Sequence, residues 1–147
     1  MLKLNEKMIR KGRALGLPYQ GSKKKISKKI VEIIKQNFGT DKPVYDIFGG
    51  GGAVAAECLI NGIEVHYNDL DPPYENTTLK GYTVKEFNSQ SFYDWAYEMS
   101  KKNIVLISSY EISDSRFKCV YEFTNARSTF SSGTYYGKQT EKLFMVK

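Results

Sequence analysis

Histidine is nearly missing: His66 is the only one in 147 residues. One imidazole counts against a histidine-based triad or a histidine-rich metal site, and no metal is expected. Cysteine is scarce too. Cys58 and Cys119 stand in no metal or redox spacing, so they read as buried thiols of a reducing compartment. No apolar run approaches the roughly 18 residues of a membrane span, and no secretory leader is visible. A cytoplasmic protein of a bacterial or phage-infected cell, without a membrane partner, is the expectation. What is present is a globular composition with 41% hydrophobic residues. The length suits one domain with a real core and is too short for two.

Charge is unevenly spread. Residues 1–40 carry eleven Lys and Arg against Glu6 and Glu32, a net of +9, while the remainder is net −3. A basic arm on a near-neutral body points to a polyanion, nucleic acid first. A solvated lysine-rich helix face is the plainer alternative.

Residues 1–17 read as a flexible basic lead-in. Ser22 is placed to cap a helix over about 23–38, with Ile26, Ile30, Ile33, Ile34 and Phe38 on one stripe and Gly39 as its stop. Lys24, Lys25, Lys28 and Lys29 fall away from that stripe, toward solvent or phosphate. The run from Pro43 to Phe48 reads as a buried strand. Gly49 to Gly52 follow, then a helix from about Ala53 to Asn61 and a second strand from Ile63 to Asn68. This is a βαβ crossover, so a parallel sheet is expected. Phe92, Trp95, Ala96 and Met99 mark a further helix. Ile104 to Ile107 reads as a strand covered on both faces. Phe117, Cys119, Tyr121 and Phe123 alternate as in a more exposed strand, with Lys142 to Val146 as partner across a polar loop.

Four places carry chemistry. The glycine run follows the first strand, where open α/β sheets bind ligands and glycine lets the backbone approach them. It has neither the Gly-x-Gly-x-x-Gly of nicotinamide sites nor the Gly-Lys-Ser/Thr of a phosphate loop, and a tight turn needs glycine too. Asp69, ending the second strand, suits a ribose hydroxyl or is an exposed acid. Pro18 to Lys23 precede the first helix, where a carboxylate or phosphate is favoured beside an ordinary capped start. Last is Asp71-Pro72-Pro73-Tyr74. Two prolines stiffen a loop and remove two N–H donors, leaving carbonyls free to accept. With an acid before and a ring after, the tetrapeptide suits a planar exocyclic amino group; a surface turn is the alternative.

Taken together, these motifs resemble the Dam-like (D12-class) DNA adenine-N6 methyltransferases. Tyr19-Gln20-Gly21-Ser22-Lys23 matches that family's N-terminal motif. Asp46-Ile47-Phe48-Gly49-Gly50-Gly51-Gly52 matches its cofactor loop, Asn68-Asp69 its ribose acid, and Asp71 to Tyr74 its catalytic motif. Val105 to Ser109 looks like its fifth strand, and Phe117 to Phe144 like its closing hairpin. The resemblance implies an α/β fold with a Rossmann-like S-adenosylmethionine-dependent methyltransferase sheet. That sheet would be mostly parallel, with an antiparallel C-terminal hairpin, and reduced in strand number. After a lead-in of residues 1–17, residues 18–147 would form a single catalytic domain.

The resemblance also implies roles. S-adenosyl-L-methionine would be the cofactor and double-stranded DNA the partner, as in restriction-modification systems. An adenine flipped from the duplex would stack on Tyr74. The Asp71 carboxylate and the Pro72 carbonyl would accept its two N6 hydrogens, with Pro73 stiffening the loop. Tyr19 and Lys23 would hold the methionine end of the cofactor, bordered by Asp46, Phe48, Gly49 and Gly51. Asp69 would take the ribose, and Asp71 would line the same site. Lys24, Lys25, Lys28, Lys29 and Arg127 would meet DNA phosphates.

The chain departs from the family in one place. Only Leu70 separates Asp69 from Asp71, where the family has a helix, a third strand, another helix, the target recognition domain and a further strand. Asp69 and Asp71 can lie at most about 7 Å apart along the chain. The family's two strands bearing them flank the first strand on opposite sides, about 10 Å apart. Four readings follow: the second strand takes the ribose slot, it takes the catalytic slot, partner chains of a homodimer exchange elements, or the chain is an internally deleted remnant. A catalytically inactive cofactor- or DNA-binding remnant, or a scaffold acting through protein contacts, is the alternative function.

Overall fold

The computed structural model describes residues 1–16, 23–68, 88–127 and 140–147. They fall into two compact units, one drawn from residues 2–71 and the other from 72–147.

In the first unit, a 3-10 turn at Lys23–Lys25 leads into helix α1, Ser27–Phe38. The helix therefore starts four residues later than predicted, and no side chain caps it; Ser22 lies outside the described residues. Its buried face holds Ile26, Ser27, Ile30, Val31 and Ile33, while Ile34 and Phe38 are half-buried. The stripe is rotated toward Val31, because helix α2 packs on that side. Gly39 ends α1 at φ +85°, its N–H returning to the Lys35 carbonyl, as a glycine stop should.

Strand β1 is Val44–Asp46, α2 is Ala53–Ile60 and strand β2 is Val65–Tyr67. β1 and β2 pair in parallel, with Val44 opposite Val65 and Asp46 opposite Tyr67. The predicted crossover is therefore present, with shorter strands. Its core joins Val31, Cys58 and Ile63, flanked by Val44, Val54 and Val65. Burying an aliphatic side chain of this size contributes about 1.5–3 kcal/mol. β1 is not the buried strand expected. Tyr45 is 64% exposed and stacks flat on His66 at 4.6 Å, since α1 and α2 cover the alternate residues.

The lead-in is not flexible over residues 1–16. The Lys3 and Asn5 main-chain N–H groups donate to the Asn37 and Gln36 side chains, which donate back to the Lys3 and Asn5 carbonyls. Asn5 also caps a 3-10 turn at Glu6–Met8.

In the second unit, helix α3 spans Ser89–Ser100, capped by the Asn88 side chain on the Ser91 N–H. Strands β3 (Ile107–Ser109), β4 (Phe117–Arg127) and β5 (Thr140–Val146) follow. The sheet order is β3-β5-β4, antiparallel throughout. The expected pairing of 117–123 with 142–146 holds. A bulge at Val120 shifts the register between Cys119 and Tyr121. Ile104 is 46% exposed and precedes the strand, so the apolar run 104–107 is not a strand covered on both faces. α3 packs through Tyr93 and Ala96 onto Phe117 and Phe144. Trp95 and Met99, expected inward, are partly exposed, at 41% and 38%. The described residues thus form an α/β structure with one parallel pair and one antiparallel sheet.

Candidate functional site

The site is built where β1 ends. Asp46 closes the strand, Phe48 is partly exposed, and the chain turns through Gly49–Gly52 into α2. Gly50 and Gly52 sit at φ +48° and +75°, a region that L side chains avoid. The Gly52 N–H donates to the Gly49 carbonyl, and the Gly52 carbonyl accepts from Ala56. Gly52 is thus both the turn's last residue and the N-cap of α2, with no side chain capping the helix. That leaves main-chain N–H groups of the first turn for another acceptor.

Beyond β2 the ladder continues. The Asn68 N–H donates to the Asp46 carbonyl at 2.8 Å, and the Gly49 N–H donates to the Asn68 carbonyl at 2.8 Å. The residue just before Asp69 is therefore stitched to the glycine turn. Gly16 packs closely on the start of α2. A Cβ there would lie 2.8–2.9 Å from the N, Cα and Cβ of Ala53. The chain entering the Tyr19–Lys23 motif therefore passes against the first residue of α2. Lys23 is half-buried in its 3-10 turn.

Of the predicted site residues, the structure brings Asp46, Phe48, Gly49 and Gly51 into one turn, with Asn68 beside them. Tyr19, Asp69, Asp71, Pro72, Pro73 and Tyr74 lie outside the described residues. The predicted phosphate contacts fare differently. Lys28 Nζ donates to the Gly12 carbonyl at 2.8 Å, and Lys29 Nζ meets Glu6 at 2.8 Å. Lys25 is exposed. Arg127 belongs to the second unit, its backbone paired with Thr140.

Two features escaped the sequence reading. Tyr67 lays its ring over the glycine turn, its hydroxyl donating to the Gly50 carbonyl. A Cβ on Gly49 would meet that ring at 2.3 Å, so Gly49 is glycine because of Tyr67. A tyrosine ending a strand carries no such signal by itself. The second is Glu57, buried on α2 and gripped by Arg10 through two bonds of 2.9 Å. The guanidinium holds its carboxyl below the usual range, helped by Asn61. Next to it, burial raises the Cys58 thiol to about 12, with the Asp46 and Glu57 charges adding to the effect.

The glycine turn, the acid at the strand end and the uncapped helix fit a cofactor that presents a carboxylate and needs close backbone approach. Among the described residues no group of three or more acidic, His or Cys side chains is placed to hold a metal, and no helix is long and apolar enough to cross a membrane. Residues 19–80 match the family model described as D12 class N6 adenine-specific DNA methyltransferase. No curated protein and no solved structure matches the chain. The matched residues include the Tyr19 motif, the glycine turn and the Asp71 motif, and the match supports a DNA methyltransferase in general. Over residues 19–80, less than half of its length, the chain is similar to the D12 class of N6 adenine-specific DNA methyltransferases.

Proposed function

We propose that the protein is an adenine-N6 methyltransferase acting on double-stranded DNA, with residues 18–147 as its catalytic domain on a reduced Rossmann-like sheet. The carrying observation is that one family match spans all four motifs, while the Asn68–Gly49 hydrogen bond joins two of them in space. S-adenosylmethionine, when bound, supplies an activated methyl group. Tyr19, Lys23, Asp46, Phe48, Gly49, Gly51 and Asp69 are the residues that would hold it.

Chemistry at the adenine would rest on Asp71 to Tyr74. Tyr74 stacks on the flipped base. The Asp71 carboxylate and the Pro72 carbonyl accept the two N6 hydrogens. That draws the nitrogen lone pair out of conjugation with the ring and aims it along one direction. Pro73 keeps the acceptors fixed, so orientation and electrostatic alignment lower the barrier without a histidine base. In this reading the protein works in the cytoplasm, alone or as a homodimer exchanging elements.

The test is S-adenosylmethionine titration followed by methyl transfer to unmethylated duplex DNA. Wild type should bind and transfer; Asp71→Ala should bind with little change and lose transfer. Equal transfer by Asp71→Ala would refute the catalytic assignment. One observation favours a second reading, a cofactor- or DNA-binding remnant: only Leu70 stands between Asp69 and Asp71. Binding without transfer by the wild type would select it.

A further inference from the structure

We propose that the lead-in, residues 3–13, is a preformed ridge for the phosphates of duplex DNA, with Lys3, Lys7, Lys11 and Arg13 as the contact residues. This deepens the reading of DNA as partner and rests on it. Sequence pattern alone gave the phosphates to Lys24, Lys25, Lys28 and Lys29 on or next to α1. The structure gives two of these another task.

Lys28 holds the Gly12 carbonyl and Lys29 holds Glu6. Arg10 donates to the carbonyls of Lys11 and Arg13 while it grips Glu57. Three consecutive carbonyls, at 11, 12 and 13, therefore accept from cations. Gly12, at φ +106°, makes the turn that presents them. Asn37 and Gln36 fix the other end by four hydrogen bonds to the main chain of Lys3 and Asn5.

This anchoring sorts the side chains. Leu2, Leu4, Ile9, Arg10 and Ala14 are partly covered, whereas Lys3, Lys7, Lys11 and Arg13 are exposed. Among the described residues, none of those four cations pairs with a carboxylate within salt-bridge distance. Glu6, the lone acid of the segment, is taken by Lys29. Charges that would repel a polyanion are thus neutralised, and four that attract it are left outward. Fully extended the segment would span about 35 Å; the 3-10 turn at Glu6–Met8 and the turn at Gly12 make it shorter than one turn of B-DNA. Because it is already ordered, binding costs less conformational entropy than for a free arm. Phosphate contacts carry no sequence information, so the ridge supplies affinity and register only.

The experiment uses the full chain and an unmethylated 20-base-pair duplex, with affinity measured against salt, and S-adenosylmethionine titrated in parallel. Each phosphate contact contributes about 0.9 to the slope of log affinity against log salt. The triple variant Lys7→Gln, Lys11→Gln, Arg13→Gln keeps every main-chain anchor. It should lower the slope by up to about 2.7, with cofactor binding unchanged. The pair Asn37→Ala, Gln36→Ala leaves the charge untouched and should weaken DNA binding several-fold at an unchanged slope. A triple variant with the wild-type slope overturns the ridge alone. Stronger binding of the wild type to anionic vesicles than to DNA would assign the same cations to a lipid surface and overturn it as well. Loss of both DNA and cofactor binding in the wild type would overturn the proposed function too.

Discussion

Replacing Gly49 by alanine should damage the first unit through one contact, a cost that should not add to that of Tyr67→Ala. Gly49 has no left-handed φ, so alanine fits its backbone and strain is not the issue. The added methyl would sit 2.3 Å and 2.5 Å from the Tyr67 ring and 3.1 Å from the Asn68 carbonyl. The ring must swing out. That loses its bond to the Gly50 carbonyl, about 1 kcal/mol, and the packing of a half-exposed ring, about 1 kcal/mol more. Gly49→Ala should then cost about 2 kcal/mol, lowering Tm by roughly 8 °C or more for a unit of this size. Tyr67→Ala removes the same bond and packing and should cost a similar amount. The double variant should cost little more than either alone, because the clash and the loss are one event. Urea unfolding followed by far-UV circular dichroism gives all four corners of the cycle. Additive costs of about 4 kcal/mol in the double variant, on the same scale, would refute the reasoning, as would a neutral Gly49→Ala.

Cys58 should resist Ellman's reagent in the native protein at pH 8, since its thiol titrates near 12; Cys119, only half-buried, should react first, and two fast thiols would contradict this. Asp114 is held at about 2, against 3.8 unperturbed, chiefly by its hydrogen bond to Arg116. A depressed carboxylate stabilises the fold above its unfolded value and loses that contribution as pH falls toward 2. Asp114→Asn should therefore flatten the loss of urea resistance between about pH 4 and pH 2, and an unchanged acid limb would rule the linkage out. Arg10→Met should lower the melting temperature by stranding the Glu57 carboxylate in a buried position, and adding Glu57→Gln should restore part of it. No recovery in the double variant would mean that Arg10 acts through its carbonyl contacts instead.

The parallel crossover was legible because its punctuation is local: glycines at the turn, a short alanine-rich helix and β-branched residues on either side. The boundaries of α2 follow from the same signals. What sequence could not give was which neighbour each face meets. α1 turns Val31 inward because α2 lies there, and α3 buries Tyr93 where the periodicity favoured Trp95. The run 104–107 looked like a central strand because apolar residues without period fit a strand and a loop alike. At the site, the turn was readable from its glycines. The ring that closes over it was not, since Tyr67 and Gly49 are eighteen positions apart and only the pairing of β1 with β2 brings them together. The lysines of α1 show the same limit. Their charge was evident, but their partners in the lead-in are set by tertiary packing.

The strand order of the second unit bears on how this protein leaves the ribosome. β5 lies between β3 and β4, which make no pairing with each other. Among the described residues, β3 and β4 have β5 as their sheet partner, so neither has that partner until residues 140–146 have emerged. The sheet therefore closes in a single late step, whereas the crossover of the first unit is complete once Tyr67 has appeared. A nascent chain arrested before residue 140 would carry a folded first unit tethered to an unpaired β4 edge. Such a chain would be the species most exposed to strand-mediated association during synthesis.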